Sequence, residues 1–255
     1  MKLGLCYMVF DGEELLEFAA RSIRNQVDHI SVTYQTTSYF GNKADSSLLA
    51  TLQRAKTANL IDELVHYEPD LSLHHKENEL RLRNLGLELS RKAGCTHHIS
   101  ADVDEFYKAE ELEYAKNVME NDHDMSVATL LTYYKDPTFL VYPIQKLLVS
   151  FIHPVTNEYN RDIHYPTFPM ETTRRLVNHT SPRLFAKEEF IIHHMSYVRR
   201  DIHKKFQNSD NARFYKLEKF MKVFNNYKLG DRVCLLPDYI NRKTVQVENT
   251  FGIHF

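Results

Sequence analysis

At 255 residues the chain is long enough for one large α/β domain or for a domain with an appended lobe. Its 43% hydrophobic and 26% charged residues are those of an ordinary globular protein, 7 Gly and 8 Pro argue against disorder, and no run approaches the ~20 apolar residues of a membrane span. The net charge of -2 hides an asymmetry: residues 1–159 hold 15 Lys and Arg against 24 Asp and Glu, residues 160–255 hold 17 against 10, and such halves suit a phosphate-bearing ligand held between them.

Residues 3–10 alternate loosely and read as a first strand. This apolar start meets Asp11-Gly12-Glu13-Glu14 without a small-residue cleavage site, which favours a strand over a signal peptide. Leu15, Leu16, Phe18, Ala19 and Ile23 then recur at helical spacing across residues 13–26. A second strand over 28–35 opens into a polar loop with a turn glycine, Gly41. Ser46 or Ser47 caps a helix reaching about residue 60, and residues 63–67 form a third strand that Pro69 stops. The longest helix is predicted over 75–92, with Leu80, Leu82, Leu85, Leu87 and Leu89 on its apolar side and Gly94 as its C-terminal cap. A strand ending in Asp102 and Asp104 follows at once, then a helix over 110–120 and strands over 125–134 and 145–152.

Alternation of strand and helix over the first 120 residues means βαβ units and a mostly parallel sheet. Beyond about residue 140 the pattern breaks, with Pro143, Pro154, Pro166, Pro169 and Pro182 punctuating short segments. Residues 189–195 read as a late strand, and residues 201–224 as a basic amphipathic helix with Phe206, Phe214, Leu217, Phe220, Met221 and Phe224 on one side. Cys6, Cys95 and Cys234 are odd in number, widely spaced and without a CxxC, which points to reduced thiols in a cytoplasmic protein.

The chemistry concentrates in Ile99-Ser100-Ala101-Asp102-Val103-Asp104-Glu105. Acids at i and i+2 of an extended backbone point the same way, and their mutual repulsion asks for a cation. A divalent metal carrying a diphosphate is the obvious candidate, and in parallel sheets ligands sit beyond the carboxyl ends of the strands, where these acids fall. A calcium loop is disfavoured because no third acid and no glycine follow at the required spacing. A phosphatase using Asp as nucleophile is disfavoured by the Glu105-Phe106 that follows and the hundred residues that precede.

These residues resemble a GT-A-type glycosyltransferase of the broad family-2-like group of bacteria and phages, with a DxD motif. The blocks that carry the resemblance are the opening strand and helix running to Tyr34-Gln35-Thr36-Thr37-Ser38, the helix Glu79-Leu80-Arg81-Leu82-Arg83-Asn84 through Gly94 into Asp102-Val103-Asp104, and Phe168-Pro169-Met170-Glu171-Thr172-Thr173-Arg174-Arg175 followed by Ile192-His193-His194-Met195-Ser196-Tyr197-Val198-Arg199. The resemblance implies a GT-A (Rossmann-like) mostly parallel mixed sheet flanked by helices with a C-terminal acceptor-side extension. Residues 1–135 would form the nucleotide-sugar-binding half and residues 136–255 the acceptor side of the same domain.

It further implies a nucleotide-sugar donor and a Mn²⁺ or Mg²⁺ ion. Asp104 would bind the metal, Asp102 the ribose or the metal, and one of His193 and His194 would complete the shell. Tyr34, Gln35, Arg81, Arg83, Asn84, Arg174 and Arg199 are the remaining donor-binding candidates. Tyr34-Gln35-Thr36 stands where many members carry an acid that reads the nucleoside, so the base stays open. Glu171, Asp162 and Glu158 are candidates for the base that deprotonates an acceptor hydroxyl, with Glu105 fixing the loop. The acceptor would be a glycan, a lipid-linked glycan or a modified nucleobase. The competing function is a non-enzymatic nucleic-acid or partner-binding module built on the basic C-terminal helix, with Arg199, Arg200, Lys204, Lys205, Arg213, Lys216, Lys219 and Lys222.

Overall fold

The strand predicted at the start of the chain is buried along nearly its whole length, the environment of a central parallel strand covered on both faces. It is β1 (Leu3–Val9), seen here in a computed structural model that describes residues 1–120, 123–144, 147–164, 170–209, 217–233, 235 and 242–255. A helical run follows, 3₁₀ at both ends around α1 (Leu16–Ile23), and then β2 (His29–Tyr34), α2 (Leu48–Thr57), β3 (Glu63–His66), α3 (His75–Lys92) and β4 (His97–Asp102). The strands pair in the order β3-β2-β1-β4, all parallel, with Gly4 opposite His29 on one side and His98 on the other. The fold class is therefore a parallel-rich α/β sheet flanked by helices, as the sequence leads one to expect.

The α3–β4 connection is the most tightly specified local unit. The His74 ring caps the helix by accepting from the Lys76 amide, and Gly94, at φ 71°, takes the left-handed turn after its last residues. Beyond β4 the chain turns through Val103 and Asp104 into β5 (Glu105–Phe106) and α4 (Ala109–Met119).

A second sheet is centred on β6 (Met125–Tyr134), buried at every position. It gathers β7 (Phe139–Tyr142), β8 (Leu148–Ser150), β10 (Pro182–Leu184) and β11 (Ile192–Tyr197), while β9 (His153–Pro154) pairs antiparallel with β4 at the edge of the first sheet. β11 runs parallel to β6 and antiparallel to β5. The turn carrying Asp102 and Asp104 thus leaves a strand of one sheet and enters a strand of the other.

The C-terminal part departs from expectation. The single helix read over 201–224 is α5 (Ile202–Gln207) and α6 (Leu217–Asn226), with Phe214, Arg213 and Lys216 outside the described residues, as are Cys234, Phe168 and Pro169. Of the strand read over 145–152, residues 145 and 146 lie outside the described residues and the rest contributes β8; the late strand starts at Ile192 rather than 189. β12 (Arg232–Val233) and β13 (Arg242–Gln246) extend the second sheet through β7, a pairing the polar sequence of β13 conceals. The largest core cluster reaches from Leu3 to Ile253 and joins both sheets; a second gathers Tyr134, Ile202, Phe206, Phe220 and Phe224. The Phe206 and Phe220 rings lie 4.1 Å apart, and burying each such ring stabilises by about 1.5–3 kcal/mol. Among the described residues no helix is long and apolar enough to cross a membrane.

Candidate active site

A cleft of about 470 Å³ opens beyond the carboxyl ends of β1, β2 and β4. The ends of the first two strands supply Phe10, Asp11 and Gln35; α3 supplies Glu79 and Arg83; the β4–β5 turn supplies Asp102 and Asp104. The C-terminal half closes it with Glu171, His194, Arg199 and Lys205.

Asp102 and Asp104 have different partners. Asp102, with 38% of its side chain exposed, lies between two buried guanidiniums: Oδ1 is 3.2 Å from Arg83 Nη2 and Oδ2 is 3.1 Å from Arg174 Nη2. Asp104 is buried, and its Oδ2 accepts from Arg199 Nη2 at 2.5 Å and from Lys205 Nζ at 2.8 Å. Its Oδ1 faces His194 Nε2 at 3.5 Å. Burial alone would raise the Asp104 carboxyl, but Lys205, Arg199 and His194 outweigh it and hold the group well below the usual carboxylate range. Its backbone is pinned too, because the Asp104 carbonyl accepts from the Met195 amide at 2.7 Å.

Beneath the cleft floor, Arg174 forks onto Glu105, with Nη1 to Oε2 at 2.9 Å and Nη2 to Oε1 at 2.6 Å. Burial alone would lower the Arg174 pKa, yet Glu105 and Asp102 hold it well above the ordinary value. Arg83 donates to Glu79, Thr173 and Ser100. Burial opposes ionisation of Glu79, but Arg83 and Lys76 pull its pKa down to about 2. Glu171 accepts from the Thr173 amide at 3.1 Å and from the Thr173 hydroxyl at 2.7 Å. Among the described residues each cation of this network faces a carboxylate: Lys76 and Arg83 on Glu79, Arg174 on Glu105, Arg199 and Lys205 on Asp104.

The structure sorts the residues singled out in the sequence. Gln35, Arg83, Asp102, Asp104, Glu171, His194 and Arg199 line the cleft, and Arg174 reaches it through Asp102. Five others do not line it. Tyr34 packs against the His66 ring instead. Arg81, half a helical turn round from Arg83, is exposed beside Glu77. Asn84 is spent on the Tyr159 backbone, donating to its carbonyl and accepting from its amide. Asp162 leaves 88% of its side chain in solvent beside Arg161. His193 faces away from the cleft because adjacent strand residues alternate: its Nδ1 shares a hydrogen bond with the Tyr133 hydroxyl at 2.7 Å, and burial pushes its pKa down to about 3.

Other residues at the cleft or packed behind it escaped the sequence reading. Lys205 looked like one lysine of a solvated helix face. Glu79 and Thr173 meet across 94 residues of chain. Gly12, at φ 75°, leaves room for Arg199, since a Cβ there would lie 2.9 Å from the guanidinium carbon. The aromatic side of the basic C-terminal segment is consumed by packing, with Phe206, Phe220 and Phe224 all buried.

Among the described residues no three His, Cys, Asp or Glu side chains are arranged as a complete metal shell. The donor set nevertheless fits a divalent ion completed by a phosphate ligand. Asp104 Oδ1 and His194 Nε2 are a hard oxygen and an imidazole facing the same cleft, and Oδ1 is the Asp104 oxygen that Arg199 and Lys205 leave free. Asp102, with both oxygens on arginines, would be the weaker ligand.

The chain matches no protein-family model and no curated protein. It is similar to solved structures of low identity. A mannosyltransferase from Pyrobaculum calidifontis, solved with GDP-Man and Mn²⁺, has 10% identity and a TM-score of 0.47, covering 89% of this chain and 65% of that one. S. aureus TarS residues 1-349 has 13% identity and a TM-score of 0.42, covering 82% of this chain; the present chain spans 66% of it. A 4-diphosphocytidyl-2C-methyl-D-erythritol synthase has 10% identity and a TM-score of 0.37, covering 60% of this chain and 72% of that one.

Proposed function

We propose that the chain is a metal-dependent transferase that moves a sugar from a nucleoside-diphosphate sugar to an acceptor hydroxyl. The observation that carries this reading is the Asp102-Val103-Asp104 turn at the mouth of a parallel-sheet cleft, with Asp104 Oδ1 turned to His194. Charge balance supports it. Among the described residues the cations around the cleft already face carboxylates, so an incoming diphosphate gains from an added positive charge. A Mn²⁺ or Mg²⁺ ion held by Asp104 and His194 would supply it, and as a Lewis acid would stabilise the charge on the departing diphosphate.

The chain's own residues have the remaining work. The Arg83 and Arg174 guanidiniums fix the Asp102 carboxylate at the cleft mouth, where it can accept from a ribose or sugar hydroxyl. Phe10, Asp11, Gln35 and Phe40 line the part of the cleft next to β1 and β2, which we assign to the nucleoside. Gln35 Nε2 is tied to the Thr37 carbonyl, which leaves its amide oxygen to accept from the base. Glu171, held by Thr173, is the carboxylate we assign as base. It takes the proton of the acceptor hydroxyl as that oxygen bonds to the anomeric carbon. The bond from that carbon to the diphosphate breaks, and its electron pair leaves with the diphosphate. Residues 136–255 would form the acceptor side, with a glycan, lipid-linked glycan or modified nucleobase as acceptor.

The test is release of nucleoside diphosphate from UDP-, GDP- and dTDP-sugars with Mn²⁺, with a CMP-sugar as the donor that lacks a diphosphate. Release from one diphosphate donor, abolished by EDTA and by Asp104→Ala but kept in Asp162→Ala, is expected. Equal release by Asp104→Ala, or none from any donor across acceptor mixtures, would overturn the reading.

A further inference from the structure

Asp104 is over-supplied with positive charge. A single oxygen, Oδ2, accepts from both Arg199 and Lys205, while His194 stands at the other oxygen. One carboxylate cannot hold two full cations and a coordinated dication without strong repulsion among them.

The two cations differ in their freedom to leave. Arg199 has 2% of its side chain exposed, and its Nη1 is fixed to the Met195 and Val198 carbonyls at 2.9 and 3.1 Å. Lys205 has 22% exposed, and among the described residues its Nζ bonds Asp104 alone. Its backbone is anchored independently of that bond, because Ile202 and Phe206 of α5 are buried and Asp201 caps the helix at the Lys204 amide. A four-carbon stem on a fixed helix lets the ammonium swing while its root stays put. The root also borders the cleft, where Lys205, Asn208 and Ser209 are all wall residues.

We infer that Lys205 is a displaceable cation: it occupies Asp104 in the donor-free protein, is expelled when a divalent ion binds, and then donates to the diphosphate and stabilises it as a leaving group. This inference rests on the reading above and adds a residue and an order of events to it. One ammonium thereby serves twice, and the diphosphate meets a free cation only after the ion has arrived. Lys205 and the ion compete for Asp104 before donor binding and cooperate on the diphosphate after it.

The competition gives a signature that mere packing does not. Removing Lys205 should tighten ion binding in the absence of nucleotide and yet slow turnover. Full-length wild type, Lys205→Met and Lys205→Arg are titrated with Mn²⁺ alone, reading free Mn²⁺ by electron paramagnetic resonance, and their kcat is measured as nucleoside diphosphate release. Lys205→Met should bind Mn²⁺ about tenfold more tightly, from relief of one like charge at close range, and lose about 10²-fold in kcat, the scale for one donor to a developing charge. Lys205→Arg should recover part of the kcat. An unchanged or weaker Mn²⁺ affinity in Lys205→Met, or an unchanged kcat, would overturn the inference while leaving the transferase reading intact. Failure of wild type to bind Mn²⁺ or any nucleoside diphosphate would overturn both.

Discussion

Replacing Arg174 with methionine removes the guanidinium that forks onto Glu105 and holds Asp102, and leaves Glu105 buried without a cation. Both side chains of the pair are 2% exposed, so solvent cannot take over the lost interaction. Breaking a buried pair from one side costs about 3–5 kcal/mol, a large share of the stability of an ordinary domain. The cost should depend on pH. In the variant, desolvation lifts the folded Glu105 pKa above the unfolded value of about 4.3. Between those two values the folded state binds a proton that the unfolded state does not, so the variant loses stability as pH rises, by up to about 1.4 kcal/mol per unit. Urea unfolding of wild type, Arg174→Met and Glu105→Gln/Arg174→Met at pH 6 and pH 8 measures this. The expected result is a lowered midpoint at constant m, a larger deficit at pH 8, and recovery of at least half of it in the double variant. A deficit below about 1 kcal/mol, or one independent of pH and not rescued, would refute the account of the cleft floor.

Three other outcomes follow from the geometry. Burial pushes His153 down to about 4 and His193 down to about 3, so both stay neutral in the folded state while the unfolded chain takes up protons near pH 6.5. Stability present above pH 6.5 is lost as pH falls toward those values, about 2 kcal/mol for each ring by pH 5, and chemical denaturation across pH 5–8 should show the decline. Gly12→Ala should destabilise by about 1–2 kcal/mol through left-handed strain and also weaken donor binding, because its Cβ would press on Arg199; Gly94→Ala should share only the first effect. Glu171→Gln should lower kcat by about 10²–10⁴ with donor affinity retained, and an unchanged kcat would remove Glu171 from the role of base.

The first part of the chain was legible because its signals are local. Helical spacing over 75–92, Gly94, an apolar strand and two acids at i and i+2 lie in one continuous stretch, and the structure realises them in that order. Which of Arg81, Arg83 and Asn84 turns inward was not legible. The apolar stripe of α3 contains Arg83 itself, so the residue that mattered interrupted the pattern used to find the face. Strand alternation showed that His193 and His194 must part company, but the choice needed the register of β11 on β5, which sets His194 opposite Glu105. Lys205 and Thr173 were hidden because their partners lie 101 and 94 residues away, beyond any local period. The β7–β13 pairing was hidden for a related reason: two of the five β13 residues are basic, and pairing with Phe139–Tyr142 and with β12 is what makes the segment a strand.

The most direct test of the central claim is a thermal-shift comparison of UDP-, GDP-, dTDP- and CMP-sugars, each with Mn²⁺ and with EDTA, on wild type, Asp104→Ala and His194→Ala. At about 100 times its dissociation constant, a ligand that binds only the folded state adds about 2.7 kcal/mol, a shift of several degrees or less for a chain of this size and still readily measured. A stabilisation by one nucleoside-diphosphate sugar that needs Mn²⁺ and vanishes in both variants is the predicted result. A stabilisation that persists in EDTA and in Asp104→Ala, or none with any donor, would contradict the account.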